Sequence, residues 1–120
     1  KTIHFYGACY DENIISNLIF NSICTVSPGN VGLTAINSFS YGTPVITHNN
    51  FENQMPEAEV IKEGITGFFF KENDIFSLEL ALIDVLQSKI DFKEECRIVI
   101  DNYYNPNYQV KVLERVLLIK

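Results

Sequence analysis

No stretch of this chain approaches the roughly 20 consecutive apolar residues that a membrane-spanning helix needs, and no basic and then apolar leader opens it. The expectation is a soluble, cytoplasmic protein. Basic residues are also scarce: Lys and Arg number 9 against 15 Asp and Glu, placed singly, for a net charge of -6. A chain without a basic patch has no electrostatic footprint for nucleic acid, so no such partner is expected. Any phosphate site must then depend on backbone amides and helix ends. The cysteines, Cys9, Cys24 and Cys96, are odd in number, form no Cys-x-x-Cys pair and have no histidine near enough in sequence to suggest zinc. They read as reduced structural thiols, with no metal site.

What is present is a globular composition. Hydrophobic residues make up 47% of the 120 and aromatics 12%, which suits one domain with a real core, near the low end for an open α/β sheet. Residues 2–7 form a short β-rich run in which His4, between Ile3 and Phe5, reads as a packing residue. Asp11 then suits the cap of a helix whose Ile14, Ile15, Leu18 and Ile19 share one face. Residues 23–26 read as a second strand. Leu33, Ile36 and Phe39 recur at helical spacing, with Gly42 as the stop. Pro44 opens a third strand at 45–47, the polar run 49–56 is a loop, and a short helix near 57–63 ends at Gly64 before a fourth strand at 67–70.

The last third is helical. Asp74 caps a helix carrying Ile75, Leu78, Leu82 and Val85, a second covers about 92–102, and Asn105 with Pro106 begins a third. That terminal helix carries Val110, Val112, Leu113, Val116, Leu117 and Ile119, so it is apolar on more than one side. Alternating strands and helices joined by glycine turns predict βαβ units, a mainly parallel sheet of about four strands and a Rossmann-like three-layer αβα fold. Ligands of such sheets bind beyond the strands' carboxyl ends. Here that edge carries the turns 7–11, 28–32, 48–56 and 71–74.

The most informative of these turns follows the second strand. In Ser27-Pro28-Gly29-Asn30-Val31-Gly32-Leu33 a strand end hands over to a helix start. Amides left unpaired there, together with the positive end of the helix dipole, suit an anionic ligand such as a phosphate or diphosphate. The plainer reading is a strand-to-helix turn in which Gly29 and Gly32 only relieve crowding. His48 and Asn49 end a strand on the same edge, where an imidazole suits hydrogen bonding to a sugar or phosphate; a solvated loop histidine is the alternative. Glu57 and Glu59 read as carboxylates at a helix start, favoured by its dipole. Tyr103, Tyr104 and Tyr108 read as interface packing.

Three spaced blocks carry a family likeness. Ser-Pro-Gly-Asn-Val-Gly-Leu, then Ser-Tyr-Gly-Thr-Pro-Val-Ile, then Glu-Gly-Ile-Thr-Gly-Phe-Phe-Phe with Asn-Asp, resemble the C-terminal donor-binding domain of the retaining GT-B glycosyltransferases, the glycosyl transferases group 1. The resemblance runs from about Ile3 to about Leu86. It implies a nucleotide-diphosphate sugar as donor substrate, no separate cofactor, and a retaining reaction assisted by the departing phosphate rather than a protein nucleophile. The donor contacts would fall on Gly29, Asn30, Val31, Gly32, Leu33, Asn37, His48 and Glu59, while the catalytic residues stay unassigned. Two glutamates normally frame this helix, one at the donor sugar and one at the ribose; Gly29 and Asn37 stand in their places. An asparagine grips ribose hydroxyls less firmly than a carboxylate does, and a glycine cannot reach the sugar.

The resemblance further implies pieces that these residues do not supply: two earlier strands, an arginine and a lysine that balance the diphosphate, and an N-terminal acceptor domain. The expectation is a single partial domain over residues 1–120, inactive alone. Its first strand would lack its native neighbour, which suggests a homodimer through an open sheet edge. Association of the parent enzyme with a membrane surface is a further expectation. Two other classes compete: a non-catalytic nucleotide-binding or regulatory module, and a receiver-like or flavodoxin-like domain. The last is disfavoured, because Asp11 comes several residues after its strand and only Ser27 offers a hydroxyl at the next turn.

Overall fold

The computed structural model describes residues 2–118. In chain order the elements are α1 (Glu12–Phe20), β1 (Thr25–Ser27), α2 (Leu33–Ser40), β2 (Val45–His48), 3-10 turns at Phe51–Asn53 and Pro56–Val60, β3 (Gly67–Phe70), α3 (Ile75–Gln87), α4 (Phe92–Tyr103) and α5 (Pro106–Leu118). Four of the helices begin where a short polar side chain captures an amide that the first turn would leave unpaired. Asp11 accepts from Asn13 N at 2.9 Å, Asp74 from Ser77 N at 3.0 Å, Asp91 from Glu94 N at 3.2 Å and Asn105 from Tyr108 N at 2.9 Å.

The strands form one parallel sheet in the order β1-β2-β3, with Val26 opposite Ile46 and Ile46 opposite Phe68. Alternation along the strands feeds two cores. On one face Val45 packs with Val31, Ala35 and Phe39 from the α2 region and with Cys96 and Val99 of α4. On the other, Ile46, Phe68 and Phe70 pack against Ala81 and Val85 of α3. Coverage on both faces is what a parallel sheet requires, and β2 is buried along its whole length. The three-layer αβα expectation therefore holds, with a smaller sheet.

Two glycines are dictated by this packing. A Cβ at Gly67 would collide with the Val45 carbonyl oxygen, so β3 lies against β2 only because that atom is missing. Gly42, at φ +74°, closes α2 where a Cβ would meet the Lys93 backbone at 3.0 Å.

Several expectations need correction. The described sheet has three strands, not about four, because residues 2–7 form none. Ile3, Tyr6 and Phe5 are exposed, Phe5 to 95%, and so is His4, which packs in no strand. A β-prone run becomes a strand only when a neighbouring edge takes up its hydrogen bonds, and here it has no partner among the described residues. The helix expected at 57–63 is the 3-10 turn Pro56–Val60. It stops early because Thr66 Oγ1 accepts the Lys62 amide at 2.7 Å, replacing a helical acceptor. Ile119 lies outside the described residues, and α5 buries none of its own. No helix among the described residues is long and apolar enough to cross a membrane.

Candidate functional site

The parallel register brings the exits of β1, β2 and β3 to one edge, so the glycine turn, the loop after β2 and the turn after β3 lie side by side. The glycine turn is pinned from below. Thr47, buried in β2, donates its hydroxyl to the Ser27 carbonyl at 2.8 Å, with the Gly29 carbonyl at 3.3 Å. Gln54 completes the clamp: its Oε1 accepts from Val31 N at 2.7 Å, while its Nε2 donates to Thr47 Oγ1 at 2.9 Å and to the His48 carbonyl at 2.8 Å. One carboxamide thus ties the turn, β2 and the following loop together.

Val31 is fully buried beneath α2, and its amide is spent on Gln54. The next amides differ. Gly32, the N-cap of α2, brings no side chain to the helix end, and among the described residues the Leu33 and Thr34 amides find no partner. Leu33 is exposed, and Asn37, one helical turn further on, is exposed too. A cavity of about 440 Å³, lined by Phe51, Gln54, Met55, Pro56, Ala58 and Glu59, adjoins this turn. Gly29 lies in open space, so a side chain there would meet no steric barrier.

A second polar cluster stands beside the first. His48 is only 2% exposed; its Nδ1 accepts from Asn50 N at 3.2 Å and its Nε2 lies 3.8 Å from Glu72 Oε1. Glu72 also accepts from Asn50 Nδ2 at 2.6 Å and from Asn53 Nδ2 at 3.3 Å. The Asn50 hydrogen bond, aided by Asn53 and the nearby His48 and opposed by burial, holds the Glu72 carboxyl below the usual carboxylate range. His48 is therefore a buried member of the loop's support. Burial likewise raises the Cys24 thiol and pushes that of Cys96 up to about 12, so both are inert packing groups.

Of the residues singled out in the sequence, Gly29, Asn30, Val31, Gly32 and Leu33 form one turn, with Asn37 on the helix that follows. Glu59 shares the cavity lined by Gln54, but its Oε1 accepts from Tyr104 Oη at 3.3 Å. Gln54, Asn50 and Glu72 were not anticipated. Their side-chain hydrogen bonds span 6 to 23 residues, and a polar loop carries no local signal for such partners.

The fold and this edge define a Rossmann-like α/β domain whose open helix start sits at the carboxyl end of a parallel sheet. Residues 1–106 match the family model for glycosyl transferases group 1, and the chain belongs to that family. Comparison with curated proteins and with solved structures gave no match.

Proposed function

We propose that this chain is the donor-binding portion of a GT-B glycosyltransferase and that its substrate is a nucleotide-diphosphate sugar. The observation that carries the reading is the uncapped start of α2, where the Leu33 and Thr34 amides have no partner among the described residues. Two free amides and a helix dipole favour a diphosphate oxygen, and the adjoining cavity of about 440 Å³ offers room for a sugar. Residues 1–120 act here as a single partial domain. Sugar transfer needs an acceptor domain and the diphosphate-balancing cations, so the chain alone binds without transferring. The proposal includes a homodimer through the outer edge of β1.

A second reading, a non-catalytic nucleotide-binding module, is favoured by one observation. Gly29 and Asn37 occupy the positions where the family's glutamates are expected. Amide shifts under titration with UDP, GDP and their sugars test the first reading. Saturable shifts at Gly32, Leu33 and Thr34 are expected, stronger for a nucleotide sugar than for the bare nucleotide; equal response to both favours the second. Silence at millimolar ligand would end both. Gln54→Leu, which leaves the Val31 amide and the His48 carbonyl unmet, should weaken nucleotide binding about tenfold, whereas loss of positioning without any binding change would remove Gln54 from the site.

A further inference from the structure

A cavity of about 570 Å³ lies between the 3-10 turn Pro56–Val60 and the corner joining α4 to α5. It is walled by tyrosines. Tyr103 and Tyr108 meet edge to face, with centroids 5.6 Å apart at 88°. Tyr104 donates its hydroxyl to Glu59 Oε1 at 3.3 Å, and Gln109 spends its Nε2 on the Tyr103 carbonyl at 3.0 Å, which leaves its Oε1 as an acceptor.

Glu57, on the same 3-10 turn, lies outside the lining, and its charge reaches the cavity only through Tyr104. Burial, and then the charges and hydrogen bond of Glu59 and the charge of Glu57, raise the Tyr104 hydroxyl, so both carboxylates act on the same ring. The polar lining is therefore rich in acceptors and its apolar lining is aromatic. The Glu59 carboxylate in the wall, with the charge of Glu57 behind Tyr104, disfavours an anion, and a tyrosine face attracts a cation. Lys62 also lines the cavity, but it is exposed and among the described residues pairs with neither glutamate.

We propose that this cavity binds an organic cation, a guanidinium or primary ammonium on a short alkyl chain, between Glu59, Gln109 and the Tyr103–Tyr108 pair. The N–H donors of the cation meet the Glu59 carboxylate and Gln109 Oε1, and its alkyl stem lies against the rings. The site shares Glu59 with the wall of the cavity of about 440 Å³, but no residue of the glycine turn lines it, and the proposal does not rest on nucleotide binding.

Titration of the isotope-labelled chain with agmatine tests this. Saturable amide shifts at Tyr103, Tyr104 and Gln109 are expected, with n-butylurea, neutral and similar in length, giving none. Glu59→Gln alters an exposed side chain and should weaken agmatine binding about tenfold. Tyr108→Phe keeps the ring and should bind within about twofold. An unchanged amide spectrum elsewhere in each variant confirms that the fold persists. The proposal is overturned if the Tyr104 region stays silent, if n-butylurea binds as well as agmatine, or if Glu59→Gln binds undiminished. Responses at Leu33 and Thr34 to UDP are read in the same spectra, so this site and the donor site succeed or fail separately.

Discussion

At the residue scale, absence of atoms decides more than their presence. Gly67 is required because its α-hydrogen faces the Val45 carbonyl where β3 joins the sheet, and its own carbonyl accepts from Gly64 N at 2.9 Å. Gly67→Ala forces either the strand or the ladder to move. Overpacking of this kind costs about 1–3 kcal/mol, and the urea midpoint should fall accordingly with an unchanged slope; an unaltered midpoint would show that β3 yields freely. Gly29 is the opposite case, since open space surrounds it. The glutamate expected there in the family is therefore missing for no steric reason. The sequence reads Gly67 as a strand start and Gly29 as a turn, and neither signal shows which backbone approaches from another element. Gln54 escaped notice for the same cause: its worth lies in three partners on the turn and on β2.

At the element scale, helices were legible and the first strand was not. Helix starts follow from local chemistry, and Asp11, Asp74 and Asn105 cap where their sequence context placed them. Residues 2–7 carry equal β character, but a strand depends on a distant neighbour and these residues have none among the described residues. The loop after β2 shows the same dependence on remote groups, because Glu72 holds Asn50 and Asn53 across more than a helical turn of sequence. Its carboxyl is held below the usual range in the fold. The unfolded chain therefore takes up this proton first as pH falls. The contribution of Glu72 is complete above the ordinary carboxylate range and is lost as pH falls through the folded value. Thermal melts of the wild type and Glu72→Gln should differ at neutral pH and converge as pH falls below the ordinary carboxylate range. A gap that is constant across that range would mean that the carboxylate charge is irrelevant to the loop.

At the scale of the whole molecule, the sheet is finished on its faces and open at one side. The Rossmann-type order 3-2-1-4-5-6 places the described β1-β2-β3 as its last three strands, so the outer edge of β1 faces the position of a strand that is not among the described residues. Exposed apolar groups lie along the elements that lead into β1 and on β1 itself: Ile14, Leu18 and Phe20 on α1, then Ile23 and Val26. Unpaired N–H and C=O groups beside apolar side chains form a template for another chain, and native edges are usually blunted by charge. Among these five, Phe20 is met by a charge, the Lys93 ammonium 3.8 Å from its ring centroid, and Val26 on the strand itself is exposed and apolar. Our proposed homodimer uses this edge, and sedimentation should show a monomer–dimer equilibrium that shifts with protein concentration. Val26→Lys places a charge on the strand without altering either core, since Val26 belongs to neither, and should return the chain to a monomer that still binds nucleotide as the wild type does. A wild type that stays monomeric at high concentration would show that the edge is adequately protected by the short length of β1 alone.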